Sequence, residues 1–446
     1  MDRIRQLLAR PAAYEPIEHP VEVDNEDHES ICSRRQNESP FSRYEYGVFF
    51  LLGVSMLWAW NMFLAAAPYF YLRFQSDNWA VTHFQPSILT VSTITNLGSS
   101  FILAKLQKGA SYPRRVTLSL LINMVVFLLL AFSTVILTDV GVRSYFGFLM
   151  LMVFGASLAT GVNQNGVFAY VSSYGREEYT QAIMAGQGVA GVLPCVVQII
   201  SALAVPAKQG QDLPQASSKS AFMYFITATF VAALSLVAFL SLVRRRSSVS
   251  LPSLDGQSDT IPSDYAHKTV SLWTLFKKLQ FLSLALFLCF AATMVFPVFT
   301  VGIESVRQDP NGSRLFSREV FIPLAFLIWN VGDLIGRVSV IVPSLSLAHH
   351  PWAVFIMAVA RLGFIPLYLL CNIGGRGAIV KSDFFYLFVV QLLFGVSNGY
   401  LGSSCMMGAG QWVSADEREA AGGFMSMVLV GGLAAGSLMS FLVASI

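Results

Sequence analysis

The chain has 446 residues, of which 54% are hydrophobic and 12% charged, with a net charge of +3. Soluble proteins carry about 25% charged residues, so this composition excludes an ordinary soluble domain and points to a membrane protein. The small net charge, with basic residues scattered through loops, excludes a polyanion-binding surface, and no nucleic acid partner is expected.

The first 44 residues are polar, and the first apolar run lies too deep and is too long for a cleavable leader, so it is expected to stay as a helix. A bilayer core of about 30 Å needs about 20 apolar residues per helix, and eleven such runs follow, at about 47–72, 82–104, 116–138, 145–171, 182–205, 220–243, 279–303, 320–343, 351–373, 384–410 and 420–446. Between the sixth and seventh lies a stretch rich in Ser, Asp and Pro with no apolar period, which reads as a linker. The predicted organisation is a tail over 1–44, a six-helix bundle over 45–243, a linker over 244–272 and a five-helix bundle over 273–446. Two bundles about a midplane site are a common transporter plan, although no internal sequence repeat supports the symmetry directly. Lys105, Lys108, Arg114 and Arg115 crowd the second-to-third connection, and Arg244, Arg245, Arg246, Lys268, Lys277 and Lys278 the sixth-to-seventh. By the positive-inside rule both face the cytoplasm, which places the tail and linker inside and the C-terminus outside.

Five cysteines, four of them within apolar runs (Cys195, Cys289, Cys371, Cys405), show no disulfide or metal-site spacing and read as small core residues. No metal or other cofactor is expected. All six histidines fall in tails or near helix ends, and no nucleophile–base or paired catalytic carboxylate arrangement occurs within the spans, so the chain does not read as an enzyme.

Polar residues inside spans mark function, because each needs a partner or a watered path. The eighth run places Asn330, Asp333 and Arg337 on one helical face at i, i+3 and i+7. Two readings stand: a self-neutralising Asp333–Arg337 pair that fixes packing, or the preferred one, a carboxylate and a guanidinium that exchange hydrogen bonds with a hydroxyl-rich ligand. In the first run Trp58, Trp60 and Asn61 lie mid-span, away from the interfacial belt where tryptophan anchors, and Trp60 offers a face for stacking a planar ring. The fourth run carries Asn163-Gln164-Asn165, three amides that point around most of the helix. Gln164 has the paired donor and acceptor needed to read a base edge. The fifth run reads Gly186-Gln-Gly188-Val-Ala-Gly191, formally a dinucleotide fingerprint. No strand precedes it, so helix packing explains it better, with Gly186 also leaving room for a ligand. Arg361, alone near the end of the ninth run, is expected to snorkel to the interface.

These residues, in this order, resemble the signatures of the equilibrative nucleoside transporter family. The resemblance rests on Trp60-Asn61, Gln164, Gly186-Gln-Gly188, Asn330-x-x-Asp333-x-x-x-Arg337 and Ser397-Asn398-Gly399-Tyr400-Leu401, and spans about 45–446. It implies an all-α polytopic fold of eleven helices in a 6+5, major-facilitator-like arrangement that moves nucleosides, sometimes nucleobases, down their gradient. By resemblance, Trp60 and Leu64 would flank the ligand, Gln164 would hold the base, and Asp333 and Arg337 the ribose. Phe296, Pro297, Phe326 and Asn330 match positions near the outer gate, and Arg115 and Glu419 match charged positions at the cytoplasmic side. The chain departs from the family pattern at Ala59, where a proline commonly stands, at Gly332, where an aromatic does, and after Gly410, where a basic continuation is missing.

Three alternatives stay open on the sequence: a carrier of another small polar solute, a proton-coupled nucleoside carrier using Asp333 or Glu304, and a membrane receptor or scaffold. No obligate protein partner is evident beyond the bilayer itself. Tyr14-Glu-Pro-Ile17 fits a Tyr-x-x-apolar sorting signal, which favours a vacuolar or lysosomal membrane over the plasma membrane. Of two glycosylation sequons, Asn311-Gly-Ser is expected on the non-cytoplasmic side and Asn37-Glu-Ser on the cytoplasmic side.

Overall fold

The computed structural model describes residues 41–204, 213–249, 269–307, 314–347 and 349–444. Asn311, Asn37, Tyr14 and residues 250–268 of the predicted linker lie outside them. Among the described residues, eleven helices are long and apolar enough to cross a membrane: α1 (Arg43–Phe74), α2 (Asn78–Lys105), α3 (Tyr112–Ile136), α4 (Val142–Ser172), α5 (Glu177–Ile200), α6 (Ser217–Ser247), α7 (Leu272–Gly302), α8 (Val320–Ser339), α9 (Pro351–Leu369), α10 (Phe385–Gln411) and α11 (Ala415–Ser440).

The ends and breaks follow from local chemistry. Ser42, in extended conformation, caps α1 by accepting from the Glu45 N–H. α1 is interrupted at Ala66, two residues before Pro68, which has no N–H to donate to the Leu64 carbonyl one turn back and whose ring crowds it, so the helix restarts at Ala67 with the proline in its first turn. Asp77 accepts from the Trp79 and Ala80 amides to cap α2, and those N–H groups, joined by Arg143, hold its carboxyl below the usual carboxylate range.

α3 shows how such helices pack. Leu118, Leu121, Val125, Leu128, Phe132 and Val135 recur every three or four residues and are exposed, whereas Ser119, Asn123, Ser133 and Thr134 are buried. The buried face also holds Val116, Leu120, Phe127 and Leu130, so the helix is apolar on both sides with its polar residues turned inward; this suits lipid, because hydrocarbon tails are as apolar as leucine and small and polar contacts help helices associate.

Helices α1 to α6 pack among themselves through the pairs α1·α5, α3·α6, α2·α4 and α3·α4; α7 to α11 do so through α7·α11, α8·α10 and α7·α9. The two groups meet where α5 crosses α8 and α10, and where α11 crosses α4 and α2. The cavity described below lies between these crossings.

Two boundaries differ from expectation. The linker does not begin at 244, because the sixth helix continues to Val249. Arg245 lies over the Tyr44 ring at 4.2 Å and Arg246 over Tyr174 at 4.1 Å, which anchors the additional turn. At the other end of the first bundle, residues 43 and 44, assigned to the tail, are helical.

Candidate functional site

The site is built on the closest helix crossing in the second bundle. Gly332 and Gly336 of α8 and Gly395 and Gly399 of α10 interlock: a Cβ at Gly332 would lie 2.4 Å from the Leu392 carbonyl oxygen, and one at Gly399 1.8 Å from that of Asp333. The departure at Gly332 therefore has a packing reason. With the backbones this close, Asn398 of α10 reaches Asp333 of α8, its Nδ2 donating to Oδ1 at 2.6 Å. Arg337 Nε donates to the other oxygen, Oδ2, also at 2.6 Å. Arg337 Nη1 then crosses to the first bundle, donating to the Met184 carbonyl and to Gln187 Oε1, each at 3.1 Å. The ion pair therefore forms, nearly buried, and ties the two bundles together at α5 and α8.

The pair also lines a cavity of about 320 Å³ between the bundles, within the size range of small-molecule sites. Trp60, Asn61 and Gln164 from the first bundle and Asn330, Asp333 and Arg337 from the second all border it. Asn61 Nδ2 donates to the Ala190 carbonyl at 2.8 Å, and Asn330 Nδ2 to the Phe326 carbonyl at 2.8 Å. Gln164 Oε1 is buried without a hydrogen-bond partner, as is the indole N–H of Trp329, another cavity residue. Groups of this kind lose a desolvation penalty when a ligand pairs them.

Two of the expected residues do not belong to this wall. Leu64 is 51% exposed and does not border the cavity; the break that follows at Ala66 ends the segment of α1 whose Met56 to Phe63 face it. Gly186 packs inside the first bundle, where a Cβ would lie 2.1 Å from the Phe50 carbonyl oxygen of α1, so it serves the α1·α5 crossing and not a ligand. Gly191, a turn further on, is the glycine of that motif that borders the cavity, with Asn330 Oδ1 2.4 Å from where its Cβ would stand.

Phe296, Pro297 and Phe326 come together around a small pocket that shares Thr293 and Trp329 with the main cavity. The Phe296 ring packs 4.2 Å from Phe394 and 5.0 Å from Tyr368. At the end where α1 starts, Arg115 Nη1 donates to Asn165 Oδ1 at 2.7 Å and to the Leu103 carbonyl, and Nη2 to the Leu106 carbonyl. A guanidinium on the last carbonyls of α2 complements that helix end. Glu419 opens α11 close enough to Tyr112 of α3 to act on it electrostatically. Here the bundles are shut together: a Cβ at Gly422 of α11 would lie 2.3 Å from the Phe168 carbonyl oxygen of α4, and Gln411 Nε2 donates to Glu177.

Arg361 does not snorkel. It is 2% exposed and sits in the core of the second bundle, where no carboxylate contacts it among the described residues. Arg361 is not near the end of its span: α9 tightens to a 3-10 turn at Arg361–Gly363 and continues as helix to Leu369, which leaves the guanidinium midway along it. Gln187, Asn96 and Thr293 also border the cavity and were not singled out from sequence. The polar-in-apolar signal that found Gln164 applies to Asn96 and Gln187 as well; Thr293 is ambiguous, since a threonine hydroxyl satisfies itself on its own helix, here on the Cys289 carbonyl.

With the geometry in hand, comparison with known proteins is informative. The sequence profile of a family described as "Nucleoside transporter" matches residues 149–255 and 243–445. The chain is 31% identical over 443 residues to the nucleoside transporter FUN26 of Saccharomyces cerevisiae, covering 89% of this chain and 83% of that protein. It is 28% identical over 480 residues to equilibrative nucleoside transporter 1 of Homo sapiens, covering 91% and 98%. Among solved structures, the proton:xylose symporter XylE, a major facilitator superfamily protein, superposes with a TM-score of 0.62 at 11% identity, covering 90% of this chain and 88% of that one. The nucleoside transporter NupG does so with a TM-score of 0.50 at 12% identity, covering 90% and 92%. At such identities the likeness is one of fold.

Proposed function

The chain belongs to the nucleoside transporter family, and from that premise we propose that it carries nucleosides across its membrane by facilitated, alternating-access transport. The observation that supports this most is the composition of the wall of this cavity: an aromatic residue and an unpaired amide oxygen on the first bundle and a carboxylate–guanidinium pair on the second. A nucleoside has matching halves, a planar base with donors and acceptors on its edge and a sugar with adjacent hydroxyls. In this reading Trp60 stacks the base, Gln164 reads its edge, and Asp333 and Arg337 address the ribose hydroxyls. A carrier whose site is exposed alternately to each side equilibrates its ligand without another energy source.

The contacts at the end where α1 starts, with Arg115 and Glu419 nearby, act in this reading as the closed cytoplasmic gate, and the Phe296–Pro297–Phe326 pocket as part of the outer one. The tail faces the cytoplasm, Asn311 is glycosylated, and the membrane is vacuolar or lysosomal. Uptake of radiolabelled uridine into proteoliposomes tests the proposal: saturable uptake down the uridine gradient, with no imposed proton gradient and competed by other nucleosides, is expected. Transport that requires an imposed proton gradient would replace facilitation with coupling, and no uptake of any nucleoside would overturn the assignment. For topology, an endoglycosidase-sensitive mass shift lost in Asn311→Gln and kept in Asn37→Gln is expected; the reverse pattern inverts the chain.

A further inference from the structure

Arg361 is a buried cation with unusual company. Its Nη1 donates to the Cys289 carbonyl at 2.9 Å, to Cys289 Sγ at 2.8 Å and to Asn398 Oδ1 at 3.3 Å; its Nε donates to Ser397 Oγ at 3.1 Å. The guanidinium also lies 4.4 Å over the Phe394 ring. All of these are neutral groups. The nearest carboxylate in the network is Asp333, and it is reached only through Asn398, whose Oδ1 accepts from Arg361 while its Nδ2 donates to Asp333.

We propose that Arg361 is a positioning residue for sugar recognition: acting through the Asn398 amide, it holds the Asp333 carboxylate in the orientation it presents to the cavity. The argument is one of hydrogen-bonding capacity. A guanidinium can only donate and a carboxylate can only accept, so an amide placed between them has one allowed orientation and is polarised along it. Thr293, whose hydroxyl is shared as donor between the Cys289 carbonyl and Asn398 Oδ1 at 2.5 Å, agrees with that orientation but does not impose it, because a hydroxyl can also accept. Asp333 thus faces a cation on each side, Arg337 directly and Arg361 through one amide. Neither of its oxygens is then free to rotate away from the cavity wall. Arg361 does not border the cavity, whereas Asn398 and Asp333 both do, and they are the route by which it reaches the ligand in this proposal.

The proposal rests on the reading that Asp333 recognises ribose, and the test separates the two. Uptake and competition by uridine and 2′-deoxyuridine are measured in proteoliposomes for the wild type, Arg361→Gln, Arg361→Lys and the pair Asp333→Asn/Arg337→Gln, which leaves no unpaired charge of its own. Because Arg361 has no carboxylate contact, its neutralisation strands no opposite charge and Arg361→Gln is expected to fold. The expected result is a loss of about tenfold in the preference for riboside over deoxyriboside in Arg361→Gln, on the order of one lost hydrogen bond. The ranking among bases stays unchanged, since Gln164 is untouched. Arg361→Lys keeps the charge but not the planar fork, and is expected to lose about threefold. Should Arg361→Gln fail to fold, the lysine variant carries the comparison, and its wild-type ratio would overturn the proposal. A wild-type sugar ratio in Arg361→Gln, with an altered one in the Asp333/Arg337 pair, overturns the positioning role and leaves a packing arginine. A wild-type ratio in all variants overturns the sugar reading of Asp333 and the proposal with it.

Discussion

Gln164 and Asp333 illustrate two ways a polar side chain persists in a membrane core. Gln164 keeps its carbonyl oxygen unpaired at the cavity wall. Leaving such a group stranded costs about 1–3 kcal/mol, so a ligand that pairs it gains most of that back. Gln164→Leu is accordingly expected to weaken competition by purine and pyrimidine nucleosides alike, by about tenfold to a hundredfold, at unchanged surface expression. Unaltered competition constants would return the residue to a packing role. Asp333, by contrast, has each carboxylate oxygen paired, one to Arg337 and the other to Asn398, and keeps further lone pairs that a ligand hydroxyl can use. Removing one partner of a buried pair costs about 3–5 kcal/mol, so Asp333→Asn alone is expected to melt well below the wild type. Adding Arg337→Gln is expected to restore the melting temperature without restoring riboside discrimination. Normal transport by the neutral double variant would mean that the pair only packs. The packing and recognition readings, which the sequence set against each other, are thus compatible in one geometry: the pair is formed, and it lines the cavity.

At the scale of elements, the α8·α10 crossing decides where these side chains meet. A Cβ at Gly336 would lie 2.1 Å from the Val396 carbonyl oxygen, a contact with backbone that no rotamer change relieves. Gly336→Ala is expected to cost about 1–3 kcal/mol through forced separation of the helices, and to reduce transport because Asn398 is drawn away from Asp333. Gly363→Ala serves as the control, since nothing lies within 4 Å of its added Cβ. Equal melting temperatures and transport rates for the two variants would refute the interlock. The first eight residues of α10, Phe385–Leu392, form a π-helix, a local widening that often accompanies function. Within it Gln391 donates to Thr300 Oγ1 at 2.8 Å and accepts from Tyr368 at 3.0 Å, joining α7, α9 and α10 beside the Phe296 pocket.

For the molecule as a whole, the close contact of α11 with α4 is, in the proposed reading, the closed gate at one end of the cavity. Gly422→Val places two methyl groups where a single Cβ already meets the Phe168 carbonyl oxygen at 2.3 Å. This substitution is expected to disfavour the state described and to shift the population toward one open at that end. A cysteine introduced at Asn165, beside Gly423, should then react faster with a membrane-impermeant thiol reagent applied from the side on which the first helix starts. An unchanged labelling rate would show that the interface is not the gate.

The eleven spans were legible because hydrocarbon demands a long apolar run for each crossing, and that demand is written residue by residue along the chain. The candidate wall was legible in part for the converse reason: Trp60, Asn61, Gln164, Asn330, Asp333 and Arg337 are conspicuous where polar groups are costly. Tertiary structure alone decided the rest, because a single helix's sequence does not say which neighbour covers each face. Gly186 and Gly191 are alike in sequence, yet one meets the Phe50 backbone and the other the cavity. Leu64 lies one turn beyond Trp60, yet falls outside the wall. Arg361 resembles an interfacial arginine until α7 and α10 close around it and supply the neutral acceptors that keep it buried.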